Sequence, residues 1–303
     1  MQRFGNILCV IDDDFEDKVA LQRAVNLAGT NNASLTVINV YDEELSGTRL
    51  LDRTLFPDAK KELISTREQK LNELISNVSA GFEVQTKVLD GISFIEIIKE
   101  VLRHDHDLVI KSADNDGFLE QVFGSNDMHL SRKCPCPIWL DNSNHIGDYT
   151  KIATAVDVGD YYPDEELAIR RDINLQILEM ATSLAINEKA ELHIIVAYMG
   201  DVMERYQDNL HSILDEILEA MEEDARNSLD IQIHMIEGIA RRAISSKVNE
   251  IGVDLLVMGT VARTGIPGFI MGNTAETIQN QIKSSLLAIK PETFETPVML
   301  EDD

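Results

Sequence analysis

Asp254-Leu-Leu-Val-Met-Gly-Thr-Val-Ala-Arg-Thr-Gly-Ile-Pro-Gly-Phe-Ile-Met-Gly-Asn-Thr-Ala-Glu-Thr-Ile278 decides how the rest of the chain is read. The apolar run Leu255 to Met258 is too short for an ordinary helix and is closed at once by Gly259, as in a buried strand of a parallel sheet. A loop with Gly265, Pro267 and Gly268 follows, and a helical pattern begins near Ala275. Asn273 is the expected N-cap, with Glu276 three residues on in a capping-box position. Strand, Gly-rich loop and helix start together suit an anion, because glycines let backbone come close and the helix start offers N–H groups. The stretch therefore reads as a phosphate or nucleotide site.

Working outward, the same pattern occurs twice. Ile152 to Asp157 matches Ile7 to Asp12, each an apolar strand ending in an acid. Leu192 to Tyr198 matches Leu35 to Tyr41, and Ile231 to Gly238 matches Val84 to Gly91. Leu256 to Gly259 is set against Leu108 to Lys111, and Leu286 to Ile289 against Pro137 to Leu140. Helical patterns run over Lys18 to Gly29, Asp58 to Val78 and Ile95 to Leu102. A stripe of Leu210, Ile213, Leu214, Ile217, Leu218 and Met221 is expected to pack into a core. Such a long-period repeat implies two copies of one domain, each large enough to bury its own core. The expected domains are residues 1–143 and 150–303, joined by the polar stretch Asn142 to Asp148. Strands separated by helices imply an α/β fold, one doubly wound parallel sheet per copy. Ligands of such sheets sit beyond the C-terminal strand ends, where strands one and four are neighbours. Asp157 is then expected beside Met258-Gly259, and Asp12 beside Ile110-Lys111.

The bulk numbers bound the function. The 303 residues carry 44% hydrophobic side chains and a net charge of −26. That charge repels phosphate backbones and argues against nucleic-acid binding. It leaves room for a nucleotide, which needs only a local cluster of donors. Residues Met1 to Asn6 are polar and Ile7 to Ile11 is too short for a signal peptide, so a cytoplasmic protein is expected. No stretch reaches the ~20 apolar residues of a membrane span.

The chain resembles the tandem universal stress proteins, and among them the E type. The resemblance covers residues 3 to 298. It rests on the duplication, on Met258-Gly-Thr-Val-Ala-Arg-Thr-Gly-Ile266, on Gly272-Asn-Thr-Ala-Glu276 and on Ser285-Leu-Leu-Ala-Ile-Lys-Pro291. The family signature is Gly, two residues, Gly, nine residues, then Gly-Ser or Gly-Thr. Here the positions hold Gly259, Ala262 and Gly272-Asn273, so the second glycine and the hydroxyl are both replaced. The resemblance implies a Rossmann-like, adenine nucleotide alpha hydrolase-like fold whose halves pair as an internal pseudo-dimer, with a homodimer of whole chains as a further expectation. It implies a small-molecule ligand, ATP or another adenine nucleotide with its Mg2+. The site residues it implies are Asp157, Ala197, Met258, Gly259, Ala262, Gly272, Asn273 and Thr274. Arg263 is added as the only charge in its loop. The resemblance also implies a role in resistance to stress such as DNA damage.

Set against each other by sequence, Lys111 to Ser125 aligns with Gly259 to Asn273 without a gap. Lys111 then faces Asp114, Asp116 and Glu120 in its own loop, while the second loop holds only Arg263. One like-charge contact at ~4 Å costs a phosphate about 4 kcal/mol at an effective dielectric of ~20. The second copy is thus the expected nucleotide site.

Other motifs carry less. Cys134-Pro-Cys136-Pro137 lacks the CxxC spacing of a redox dithiol or zinc knuckle and reads as the approach to the fifth strand. His104-Asp-His106-Asp107 lacks a third metal ligand at recognisable spacing. His193 and His234 lie on strands as core or face histidines. No Walker lysine, nucleophile elbow or HExxH is present, so binding or regulation is favoured over catalysis. A slow ATPase and a scaffold or binder of an apolar, lipid-like ligand are the alternatives.

Overall fold

The computed structural model describes residues 4–12, 15, 17–41, 57–79, 81–113, 124–142, 147–260 and 272–300. These fall into two compact units. Of these residues, the first unit holds 4–113, 125–142 and 296–300, and the second holds 124 and 147–295.

The first unit runs β1 (Asn6–Ile11), α1 (Lys18–Asn31), β2 (Ser34–Tyr41), α2 (Pro57–Val78), β3 (Gln85–Asp90), α3 (Ser93–His104), β4 (Leu108–Ser112), α4 (Ser125–Lys133) and β5 (Ile138–Asp141). Its strand order is β3-β2-β1-β4-β5, and all these pairings are parallel. The central strands β1, β2 and β4 are buried almost throughout, because helices cover both faces of such a sheet. That burial is why they read as unbroken apolar runs. The edge strand β3 is only partly covered.

The second unit repeats the plan. Its elements are β6 (Lys151–Ala155), α5 (Asp164–Glu188), β7 (Glu191–Tyr198), α6 (Met203–Glu219), α7 (Glu223–Asn227), β8 (Asp230–Glu237), α8 (Ala240–Ile251), β9 (Leu255–Gly259), α9 (Asn273–Gln279) and β10 (Ser285–Ile289). The order is β8-β7-β6-β9-β10, again parallel. In α6 the expected stripe packs inward through Leu210, Ile213, Leu214 and Ile217. The 25-residue helix α5 is an element that the sequence reading left unmarked. Pro163 followed by Asp164-Glu165-Glu166 is a helix-start signal that could have revealed it.

Both units fasten the N-terminal end of their sheet in the same way. The carboxylate of Asp107, just before β4, accepts the backbone N–H groups of Gly5 at 2.6 Å and Asn6 at 3.1 Å. That of Asp254, just before β9, accepts those of Thr150 at 2.7 Å and Lys151 at 2.9 Å. Each aspartate thus ties the first strand of its unit to the fourth.

Strand pairing corrects one expectation. Ile7 and Ile152 begin equivalent runs, with Val10 opposite Lys111 and Ala155 opposite Met258. Lys111 is therefore the counterpart of Met258, and Ser112 that of Gly259. The gap-free alignment is one residue out of register on the strand. It becomes right again at the helix starts, Ser125 and Asn273. The second connection is thus one residue longer. Lys111 is also a strand residue, not the first residue of a loop. Asp114, Asp116 and Glu120 lie outside the described residues.

Candidate functional site

In the second unit the ends of β6 and β9 lie side by side, with Ala155 opposite Met258 and Asp157 two residues beyond that pair. Thr260 donates its N–H to Ile289 O at 3.0 Å, and its carbonyl accepts the N–H of Gly272 at 3.1 Å. That second bond closes the base of the connection and brings the start of α9 to the end of β9. Gly272, not Asn273, is the N-cap, with φ −66° and ψ 140° and no side-chain cap. Asn273 is the first helical residue. The capping box therefore does not form: Glu276 donates its N–H to Gly272 O, an ordinary first-turn bond. Asn273 and Thr274 are exposed, and Met258 is buried. Ala197 sits near the end of β7, opposite Ile236. Gly259 has a packing reason of its own, because a Cβ there would come within 2.9 Å of Ile173 Cδ1 and 3.2 Å of Ile177 Cδ1 on α5. Ala262 and Arg263, like Gly265, Pro267 and Gly268, lie outside the described residues.

Asp157 is held by its own chain. Asn174 on α5 grips its backbone, donating to Asp157 O at 2.8 Å and accepting its N–H at 3.3 Å. Its Oδ1 accepts the N–H of Gly159 at 3.2 Å, a local turn typical of Asp. Its Oδ2 accepts from Tyr162 Oη at 2.8 Å and Arg170 Nη1 at 2.7 Å. Arg170 and Asn174 are one helical turn apart, hence on one face of α5. The Arg170 guanidinium also forks onto Glu166 Oε1 at 3.0 and 2.7 Å and lies 3.5 Å from the centroid of the Tyr162 ring. Burial, the Tyr161 hydrogen bond and the Asp157 charge push the Tyr162 hydroxyl well above its usual pKa, so it stays a proton donor. Gly159 is needed here: a Cβ would fall 2.6 Å from Tyr161 Cε1 and 2.7 Å from Tyr206 Oη. A cleft of about 190 Å3 opens between this turn, α5 and α6, lined by Asp157, Arg170, Asn174, Asn209 and Ser212 among others. A wider cleft of about 380 Å3 at the end of β8 and the start of α8 shares no lining residue with it.

Arg170, Tyr162 and Asn174 were not singled out from the sequence. They follow once α5 is recognised, since a helix after strand one must cross the end of that strand.

The first unit fills the matching place with charge. The Lys111 ammonium lies 3.0 Å from Asp12 Oδ2, 3.4 Å from Asp127 Oδ1 and 2.9 Å from Ser112 O. Lys111 and Asp127 are buried, while Asp12 reaches solvent. Asp127, in the first turn of α4, is the counterpart of Ala275 in α9. Where one unit has the ion pair Lys111–Asp127, the other has Met258 and Ala275 at the equivalent positions. Among the described residues, no group of three or more His, Cys, Asp or Glu could hold a metal ion.

Comparison with known proteins bears on the whole chain. The model of the Universal stress protein family matches residues 3–141 and 168–290. Universal stress protein E of Escherichia coli (strain K12) is 29% identical, with 100% of this chain and 99% of that one covered. Universal stress protein E of Photorhabdus laumondii subsp. laumondii is 28% identical over 98% of both. Among solved structures, a protein of unknown function from Pseudomonas aeruginosa PAO1 superposes with a TM-score of 0.71 at 27% identity, over 96% of this chain and 94% of that one. A universal stress protein from Archaeoglobus fulgidus shares the fold at a TM-score of 0.62 and 16% identity, over 93% and 98%.

Proposed function

The chain belongs to the Universal stress protein family through both of its halves, and we propose that its C-terminal half is a non-catalytic adenine-nucleotide site serving a stress response. The ligand class is ATP or a related adenine nucleotide with its Mg2+. Adenine lies along Asp157, Ala197 and Met258. The ribose and phosphates lie along Gly259, Ala262, Arg263, Gly272, Asn273 and Thr274. The observation that supports this reading is the Thr260–Gly272 hydrogen bond, which brings the first turn of α9 to the end of β9, the strand paired with the one that Asp157 follows. The first N–H groups of a helix have no partner within it and favour an anion.

Two features support a weak rather than a tight site. Ala262 and Asn273 replace family residues, and Arg170 and Tyr162 already hold the Asp157 carboxylate. Binding requires a nucleotide donor to share or displace them. Isothermal titration of the full chain with ATP and AMP tests the reading. Heat at millimolar ligand, lost in Gly272→Glu, is expected; no heat and no thermal shift would refute it. Phosphate release that tracks the same variant would instead favour slow ATP hydrolysis. No helix among the described residues is long and apolar enough to cross a membrane, and a cytoplasmic location belongs to the same proposal. So does a role in survival of DNA damage, tested by challenging a strain that lacks the protein.

A second reading has an observation of its own. Tyr161, Met199 and Met203 are exposed at the same C-terminal strand ends. They favour an apolar ligand, to be sought by mass spectrometry of extracts from the purified protein.

A further inference from the structure

The spacing of Cys134 and Cys136 argues against a redox dithiol, but their side chains argue for one. We propose that these two cysteines form a reversible intrachain disulfide, a peroxide-responsive site in the N-terminal half.

Their sulfurs are already in contact, with Sγ to Sγ 3.6 Å. A disulfide needs about 2.03–2.05 Å, so the sulfurs must close by about 1.6 Å, which side-chain rotation can supply. The backbone around them is restrained. Cys134 N donates to Leu130 O at 2.9 Å at the end of α4, and Pro137 O accepts from Val109 N at 3.0 Å on β4. Each cysteine precedes a proline, which biases it to extended backbone, and Pro135 between them has a fixed φ. Little freedom is left to lose on closure. A ring spanning only one intervening residue is strained, and strained disulfides are the easily reduced ones. The bond therefore acts as a switch, not a permanent staple.

Access and chemistry assign the roles. Cys136 keeps 8% exposure and Cys134 none, so Cys136 meets the oxidant. Its thiol attacks a peroxide O–O bond, giving a sulfenic acid and one water. The Cys134 thiol then displaces the sulfenic oxygen as a second water, and the S–S bond forms. The two thiols lose two electrons and two protons, and the peroxide takes up both. A dithiol reductant reverses the step. The third cysteine is unsuited to this chemistry. Cys9 is buried on β1, where burial first and then Asp17, Asp141 and Asp12 push its thiol well above the usual range. Closure would fasten the turn between β5 and α4, the helix that carries Asp127.

The test uses the full chain, reduced, then treated with hydrogen peroxide, denatured, alkylated and cut with trypsin. Residues 134–151 form one peptide containing both cysteines. It is expected two hydrogens lighter than the dithiol and unalkylated, and dithiothreitol is expected to restore the dithiol, while the Cys9 peptide stays alkylated. Alkylation of both Cys134 and Cys136, a peptide carrying two or three added oxygens, or a link to Cys9 would overturn the proposal. In Cys134→Ser, Cys136 is expected to stop at a sulfenic acid trapped by dimedone. No trapped product in a folded variant would overturn the assignment, and if that variant fails to fold the wild-type peptide decides.

Discussion

Lys111 and Met258 hold the same register on the fourth strand of their halves, opposite Val10 and Ala155. One is an ammonium among carboxylates, the other an apolar thioether. Both are buried, so they solve one packing problem with opposite chemistry. A buried ion pair often does no better than an apolar pair of similar volume, while half of one is costly. The difference teaches that the N-terminal half has built a cation into the place where the C-terminal half keeps a buried apolar side chain. The acid after strand one is neutralised in both, by Lys111 from the sheet and by Arg170 from a helix. Only the second of these partners reaches solvent appreciably.

The hardest blow to this comparison falls on Lys111. Lys111→Met should cost about 3–5 kcal/mol in urea unfolding, because Asp127 is left charged and buried. Adding Asp127→Ala, which copies the other half, should recover most of it. A single variant that loses under ~1 kcal/mol would mean the pair does not hold this half together. Next comes Gly259→Ser, which installs the residue of the first half. Its Cβ meets Ile173 at 2.9 Å, and overpacking of this kind costs about 1–2 kcal/mol. Hydrogen exchange should place the loss at α5 and β9. Arg170→Ala is smaller. Its pair with Asp157 is partly exposed, so the stability change should stay below about 1 kcal/mol. By freeing Asp157 it should tighten ATP about fivefold in calorimetry, an effect of ~1 kcal/mol; unchanged or weaker binding would remove Asp157 from the site.

The gentlest test is acid. His193 Nδ1 and His234 Nε2 share a 3.0 Å contact across β7 and β8. Burial lowers the pKa of both, with each other's proximity adding to it at His234. Neutral in the fold and protonated when unfolded, they contribute stability that is full above their ordinary pKa of about 6.5 and lost as pH falls below it. In the first half, burial alone would raise Glu100, but His106 and Lys87 hold it down, to about 2. Its contribution is full above an unfolded pKa of about 4.3 and lost as pH falls toward 2. Hydrogen exchange on a falling pH series should therefore loosen β7 and β8 before α3. The opposite order would refute this assignment.

Much of the fold could be read from the chain because buried parallel strands leave unbroken apolar runs, and the runs repeat. The site was less legible for physical reasons. Lys111 looks like a loop charge until pairing shows it on β4, and nothing in its neighbours reveals that Asp127 turns toward it. Asn273 has the chemistry of a cap, yet the backbone puts Gly272 there. Arg170 follows no motif; only the path of α5 brings it to Asp157. Cysteine spacing is a statement about sequence, whereas reactivity depends on where two sulfurs point.

The aspartates before β4 and β9 have a consequence for how each half comes to fold. Asp107 meets Asn6 across 101 residues and Asp254 meets Lys151 across 103. Neither carboxylate gains anything until a loop of that length has closed, and closing it costs chain entropy before any contact repays it. Strands one and two, far closer in sequence, can pair without that wait. The clamp thus rewards a late event, and it should act mainly by slowing escape from the finished sheet rather than by hastening its assembly.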